Sequence, residues 1–156
     1  GSSQVLEALG VNIQATGETL TRCLDEAGIC FCFAPAHHPA MKHAAPIRQE
    51  LGIRTIFNLL GPLTNPAGAT RQLLGVPTPD LTLVFAEVLH ELGAERALVV
   101  HSATGDGLSL GELTCFGENR AHELRDGRIT ETRIDAASLG LPRAQPADLT
   151  IATAAE

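Results

Sequence analysis

The sequence predicts an α/β fold: a mainly parallel sheet flanked by helices, with an antiparallel hairpin near the C-terminus. Three observations carry this. An unbroken apolar run rich in β-formers, ICFCFAP at 29–35, and a second buried-strand pattern, RALVVHS at 96–102, read as buried strands. Around them lie segments with apolar residues three and four apart, the helical period. Beyond Gly107, apolar and polar residues alternate around Asp126-Gly127, a hairpin turn signal.

In chain order, SSQVLEALGVNI predicts a short helix capped by Ser2 or Ser3, with Val5, Leu6 and Leu9 as its stripe and Gly10 as its stop. TGETLTRCLDEAGI predicts a second, capped by Thr16, with Leu20, Cys23 and Leu24 on one side and Gly28 at its end. The buried strand 29–35 follows. Residues 38–52 read as helical, with Pro39 in the tolerated first turn. IRTIFNLLGPLTNPAGA begins apolar and strand-like, then dissolves into turn chemistry at Gly-Pro and Asn-Pro. RQLLGV is a short strand, and 79–92 a helix with Leu83, Val84, Val88 and Leu89 inward and Gly93 as its stop. No internal repeat or low-complexity segment interrupts this pattern.

Composition narrows the function. Eleven basic residues among eighteen acidic ones, for a net charge of −7, make no nucleic-acid footprint. Apolar residues are 44% of the 156, enough for a core; with Trp and Tyr absent, that core is Leu, Val, Ile and Ala. No apolar run nears the ~18 residues of a membrane span, and the first residues are not a secretory leader. Cys23, Cys30, Cys32 and Cys115 make no zinc spacing. A metal reading would join Cys30 and Cys32 to His37 and His38, but without a CxxC-type pair the expectation is buried, reduced thiols in a cytoplasmic chain.

Three stretches could carry chemistry. In APAHHPAMKHAAPIR, at 34–48, His38, Met41, Ala45 and Arg48 are spaced three, four and three, so a helix puts them on one face. An imidazole, a soft apolar wall, a small residue and a guanidinium describe a pocket for a flat anion, with Arg48 forked onto a carboxylate or phosphate. Pro46 should kink that helix. The bland alternative is a solvated surface helix, and it is the better reading for His37 and His43. In NLLGPLTNP, at 58–66, Gly61 and Pro62 suit a rigid wall that a ligand approaches closely; the alternative is an ordinary connection. HSATGDGLSLGELT, at 101–114, follows a strand and offers Asp106 and Glu112, which suit Mg²⁺ or are simply an acidic loop.

Taken in this order, VLEALGVNI, HHPAMKHAAPIRQELGIRTIFNLLGPLTNPAGA and LVVHSATGDGLSLGELT resemble the anthranilate phosphoribosyltransferases. The resemblance implies that residues 1–156 are part of that family's large α/β domain. A small helical domain and the glycine-rich phosphate loop of the family would precede Gly1, so the chain alone is expected to be inactive. The implied reaction transfers phosphoribosyl from phosphoribosyl pyrophosphate to the amine of anthranilate, releasing pyrophosphate, in a cytoplasmic homodimer. By the same resemblance Arg48 and His38 contact anthranilate, Pro35 and Met41 line the approach, and Gly61-Pro62 lies against the ring. Mg²⁺ would neutralise the pyrophosphate from an Asp-Glu pair; here Ser109 stands where the Asp is expected, leaving Glu112 and, less directly, Asp106. Two alternatives follow: a related nucleoside phosphorylase, and a non-catalytic binding paralogue that lost the metal site.

Overall fold

The computed structural model describes residues 2–37, 50, 52, 56–104 and 107–149. They fall into two compact units that divide between Gly61 and Pro62.

The first unit begins with α1 (Ser2–Ala8) and α2 (Gly17–Ala27). Thr16 caps α2 as expected: its hydroxyl accepts the Thr19 N–H at 3.4 Å, and Gly28 closes the helix in the left-handed region at φ 74°. Leu20 is buried, whereas Leu9 and Leu24 of the expected stripes are exposed. The expected strand at 29–35 does not form. Residues 29–33 have no regular structure and a helical turn, α3 (Ala34–His37), follows. A strand exists only when its backbone groups meet a neighbouring strand, and none of the described strand pairings involves this run. The strand-like run before the Gly-Pro loop is likewise helical where it is described, as α4 (Phe57–Leu60). The predicted helix 38–52 lies outside the described residues, apart from Glu50 and Gly52.

The second unit is a mixed sheet carrying one long helix. Its strands are β1 (Arg71–Gly75), β2 (Arg96–Ala103), β3 (Ser109–Leu110), β4 (Glu118–Arg125) and β5 (Arg128–Ile134), in the order β1-β2-β4-β5 with β3 beside β2. The β1–β2 pair is parallel, with Leu73 opposite Leu98, and is joined through α5 (Leu81–Glu91). From β2 onward the pairing is antiparallel. This is the α/β class expected, as a mixed sheet in which one described pairing is parallel and three are antiparallel, and it includes the hairpin: Asp126 and Gly127 both take positive φ, 51° and 72°, as a two-residue turn of this kind requires.

The helix shows where periodicity misleads. Its buried residues are Thr82, Phe85, Ala86 and Leu89, while Leu83 and Val84 are exposed. LTLVFAEVLHE is apolar nearly all round, so spacing alone admits more than one inward face. Packing on the sheet selects this one. Thr82 is wholly buried, and its hydroxyl lies 2.6 Å from the Pro79 carbonyl and 2.8 Å from His122 Nδ1 on β4. Donation to Pro79 leaves the hydroxyl to accept Nδ1–H of His122. Strand alternation then places Leu74, Val99 and His122, which are in register, on the helix side. Leu89 and Leu124 are fully buried in this core, each stabilising it by about 1.5–3 kcal/mol. Exposed ion pairs across the sheet, such as Arg96–Glu123 at 3.0 Å and Arg133–Glu118 at 2.7 Å, add little. Among the described residues no helix is long and apolar enough to cross a membrane.

Candidate active site

The connection after α4 is a tight 3₁₀ turn, Gly61–Leu63, followed by an Asn65 turn. Asn65 Oδ1 accepts the Ala67 N–H at 2.9 Å and its carbonyl accepts the Gly68 N–H at 3.1 Å, which fixes the loop as the Asn-Pro signal implied. Gly61 sits in the right-handed helical region at φ −51°, so the backbone does not demand glycine there. Among the described residues nothing lies within 4 Å of where its missing Cβ would be, which leaves the peptide approachable from that side. Pro62 and Pro35, the latter in α3, are both exposed. Arg48, His38 and Met41 lie outside the described residues, as does Asp106.

The loop after β2 is held from several directions. Thr104 closes it: its N–H donates to the Leu108 carbonyl at 2.9 Å, and its hydroxyl accepts the Leu108 N–H at 3.1 Å. Buried His101 lies with Nδ1 3.0 Å from the Val76 carbonyl, a contact in which only the ring nitrogen can donate. Its Nε2 is 3.3 Å from Ser109 Oγ, which also reaches the Pro77 carbonyl at 3.1 Å. The Ser102 hydroxyl, on the other face of β2, donates to the Glu112 carbonyl. The Glu112 backbone is thus anchored while its carboxylate side is exposed. Asn119, in register with Ser102, accepts the Thr114 N–H at 2.8 Å and donates to the Thr114 and Ile134 carbonyls at 3.0 and 2.9 Å.

Sequence reasoning missed these anchors. His101 and Ser102 carried a faint signal, as polar residues ending an apolar run; Asn119 carried none.

Ser109 turns its hydroxyl inward onto His101 and Pro77, and among the described residues no three His, Cys, Asp or Glu side chains converge. Glu112 by itself does not fit a resident Mg²⁺ site. One carboxylate does match the share a protein supplies when phosphate oxygens and water complete the octahedron. Elsewhere, burial, followed by its contact with Cys32, pushes the Cys30 thiol pKa up.

A mixed sheet with helices and an anchored loop beyond a strand end defines an α/β domain. The chain belongs to the glycosyl transferase family, whose a/b-domain model it matches over residues 1–156. It is 57% identical over 150 residues to the anthranilate phosphoribosyltransferase of Caulobacter vibrioides, covering 96% of this chain and 42% of that protein. Its fold matches the Saccharomyces cerevisiae anthranilate phosphoribosyltransferase in complex with 4-fluoroanthranilate, with a TM-score of 0.82 at 22% identity, over 99% of this chain and 43% of that one. A Ser121Ala variant of the yeast enzyme, with Mg bound, matches with a TM-score of 0.81 at 22% identity, over 97% and 42%. The chain therefore spans less than half the length of the relatives it matches.

Proposed function

We propose that residues 1–156 form part of the large α/β domain of an anthranilate phosphoribosyltransferase. The whole enzyme would move phosphoribosyl from phosphoribosyl pyrophosphate to the anthranilate amine, with release of pyrophosphate, in tryptophan biosynthesis. The observation that carries this is the 57% identity to such an enzyme across nearly the whole chain.

The residues suit that chemistry. Charge develops at ribose C1 as pyrophosphate leaves, and the aromatic amine attacks there; such a step needs positioning more than a strong base. Arg48 would hold the anthranilate carboxylate through a two-pronged hydrogen bond. Gly61 and Pro62 would flank the ring, and His38, Met41 and Pro35 would line the pocket. The openness beside Gly61 supports close approach of a flat ring. Glu112, with Asp106, is our assignment for the protein's share of a Mg²⁺ ion that enters with the phosphates; the yeast relative with Mg bound supports it. We place the whole enzyme in the cytoplasm as a homodimer that acts on these two small molecules.

The test is calorimetry of anthranilate binding to this chain and to the full-length protein, each with and without Arg48→Ala. We expect the full-length protein to bind and Arg48→Ala to weaken binding by roughly 10- to 100-fold, the worth of a charged hydrogen-bond pair. Unchanged binding in that variant would overturn the pocket assignment. We also expect no phosphoribosyl transfer by the isolated chain, and measurable turnover would refute that. A full-length protein that folds but neither turns over nor binds anthranilate would favour a non-catalytic paralogue, a reading the inward-tied Ser109 hydroxyl favours.

A further inference from the structure

Cys30 and Cys32 lie just beyond α2, in the irregular stretch that sequence pattern reads as a buried strand. Both side chains are half-buried and both thiols are free. Alternate residues of an extended chain point the same way, and here the two sulfurs come within 3.9 Å of each other. That separation matches a coordination bite: a tetrahedral ion with metal–sulfur bonds of about 2.3 Å holds two of its sulfurs about 3.8 Å apart. The sulfurs therefore need almost no movement to share one ion. No third His, Cys, Asp or Glu completes a cluster among the described residues, so these residues supply two donors, and water can complete the shell.

We propose that Cys30 and Cys32 form a two-thiolate chelate site for a soft divalent cation of the zinc–cadmium type. On binding, each thiol gives its proton to solvent as its sulfur–metal bond forms, so one dication replaces two protons and no electrons move. Zinc-type spacing is missing from the sequence because the pair is CxC; the site rests on convergence of the sulfurs. Neither sulfur has a part in the acceptor chemistry proposed above.

Cadmium ion is the probe. The chain has no Trp or Tyr, so a thiolate-to-cadmium charge-transfer band stands on a clear ultraviolet background. Titration of the reduced chain should give this band with one equivalent bound. Cys30→Ser and Cys32→Ser should each weaken binding at least ~10-fold, because the second bond is made at high effective concentration. Cys23→Ser and Cys115→Ser should leave it unchanged. A second readout avoids dependence on how the variants fold: in the unmutated chain, cadmium should shield Cys30 and Cys32 from iodoacetamide while Cys23 and Cys115 stay reactive, as mapped by mass spectrometry. Equal binding by the Cys30 and Cys32 variants, or no selective shielding, would overturn the proposal.

Discussion

A β-carbon placed on Gly75 would lie 1.5 Å from the carbonyl oxygen of Gly111. The end of β1 and the segment after β3 therefore meet backbone to backbone. Gly75 does not take a positive φ, so the position requires space rather than conformational freedom. The contact seats the residue just before Glu112, whose carbonyl is held by Ser102. Gly75→Ala must push main chain apart, and we expect a loss of at least ~3 kcal/mol, the upper end for overpacking. Gly93 is the control. It has φ 85° with nothing among the described residues within 4 Å of its missing Cβ, so Gly93→Ala should cost only the left-handed strain, about 1–2 kcal/mol. Urea denaturation of both variants checks the ranking, and equal losses would refute the close approach.

Asn119 is 2% exposed and joins the 114 loop to the end of β5 through three hydrogen bonds. Asn119→Ala strands one N–H and two carbonyls, for which we expect about 3 kcal/mol of destabilisation. Asn119→Asp keeps the acceptor for Thr114 but turns an oxygen toward two carbonyls. It should therefore be the worse variant at neutral pH and recover as pH falls, since a protonated carboxyl can donate. A pH series of thermal melts separates the two. If Asn119→Asp is insensitive to pH, the amide does not make the two donations assigned to it.

Glu131 on β5 takes a hydrogen bond from Arg120 Nε at 2.7 Å, and this bond and the Arg120 charge, with smaller help from His122 and Arg133, hold its carboxyl below the usual range. A carboxylate with a depressed folded pKa adds stability above its unfolded pKa and loses it as pH falls through the folded one. Arg120→Ala should move the Glu131 titration midpoint upward, as read by NMR of its side-chain carboxyl. The stability gap between the parent chain and this variant should narrow as the solution is acidified through that transition. An unmoved midpoint would remove Arg120 as the cause.

Much of the fold was legible because its signals are local. The Thr16 cap, the Gly28 stop, the RQLLGV and RALVVHS strands and the Asp126-Gly127 turn each depend on a few neighbouring residues, and each is present. The run at 29–33 failed because a strand also needs a partner, which its own residues cannot declare. The inward face of α5 failed because an almost wholly apolar helix has no marked side. At the site, the assignments of Gly61, Pro62 and Pro35 rest on turn chemistry and resemblance. The His101 and Asn119 anchors escaped notice because each reaches a distant carbonyl, of Val76 25 residues upstream and of Ile134 15 downstream.

By itself the sequence determined the α/β class, the helix ends and turn, and the family, since these rest on local backbone preference and on motifs read in order. Only the tertiary structure decided which side of α5 is buried, how Gly75 and Gly111 pin the loop before Glu112, and that two cysteine sulfurs converge. Each of those depends on distances between groups whose separation is set by the packing of the whole chain, where the energy of burial and the geometry of backbone contact outweigh local preference.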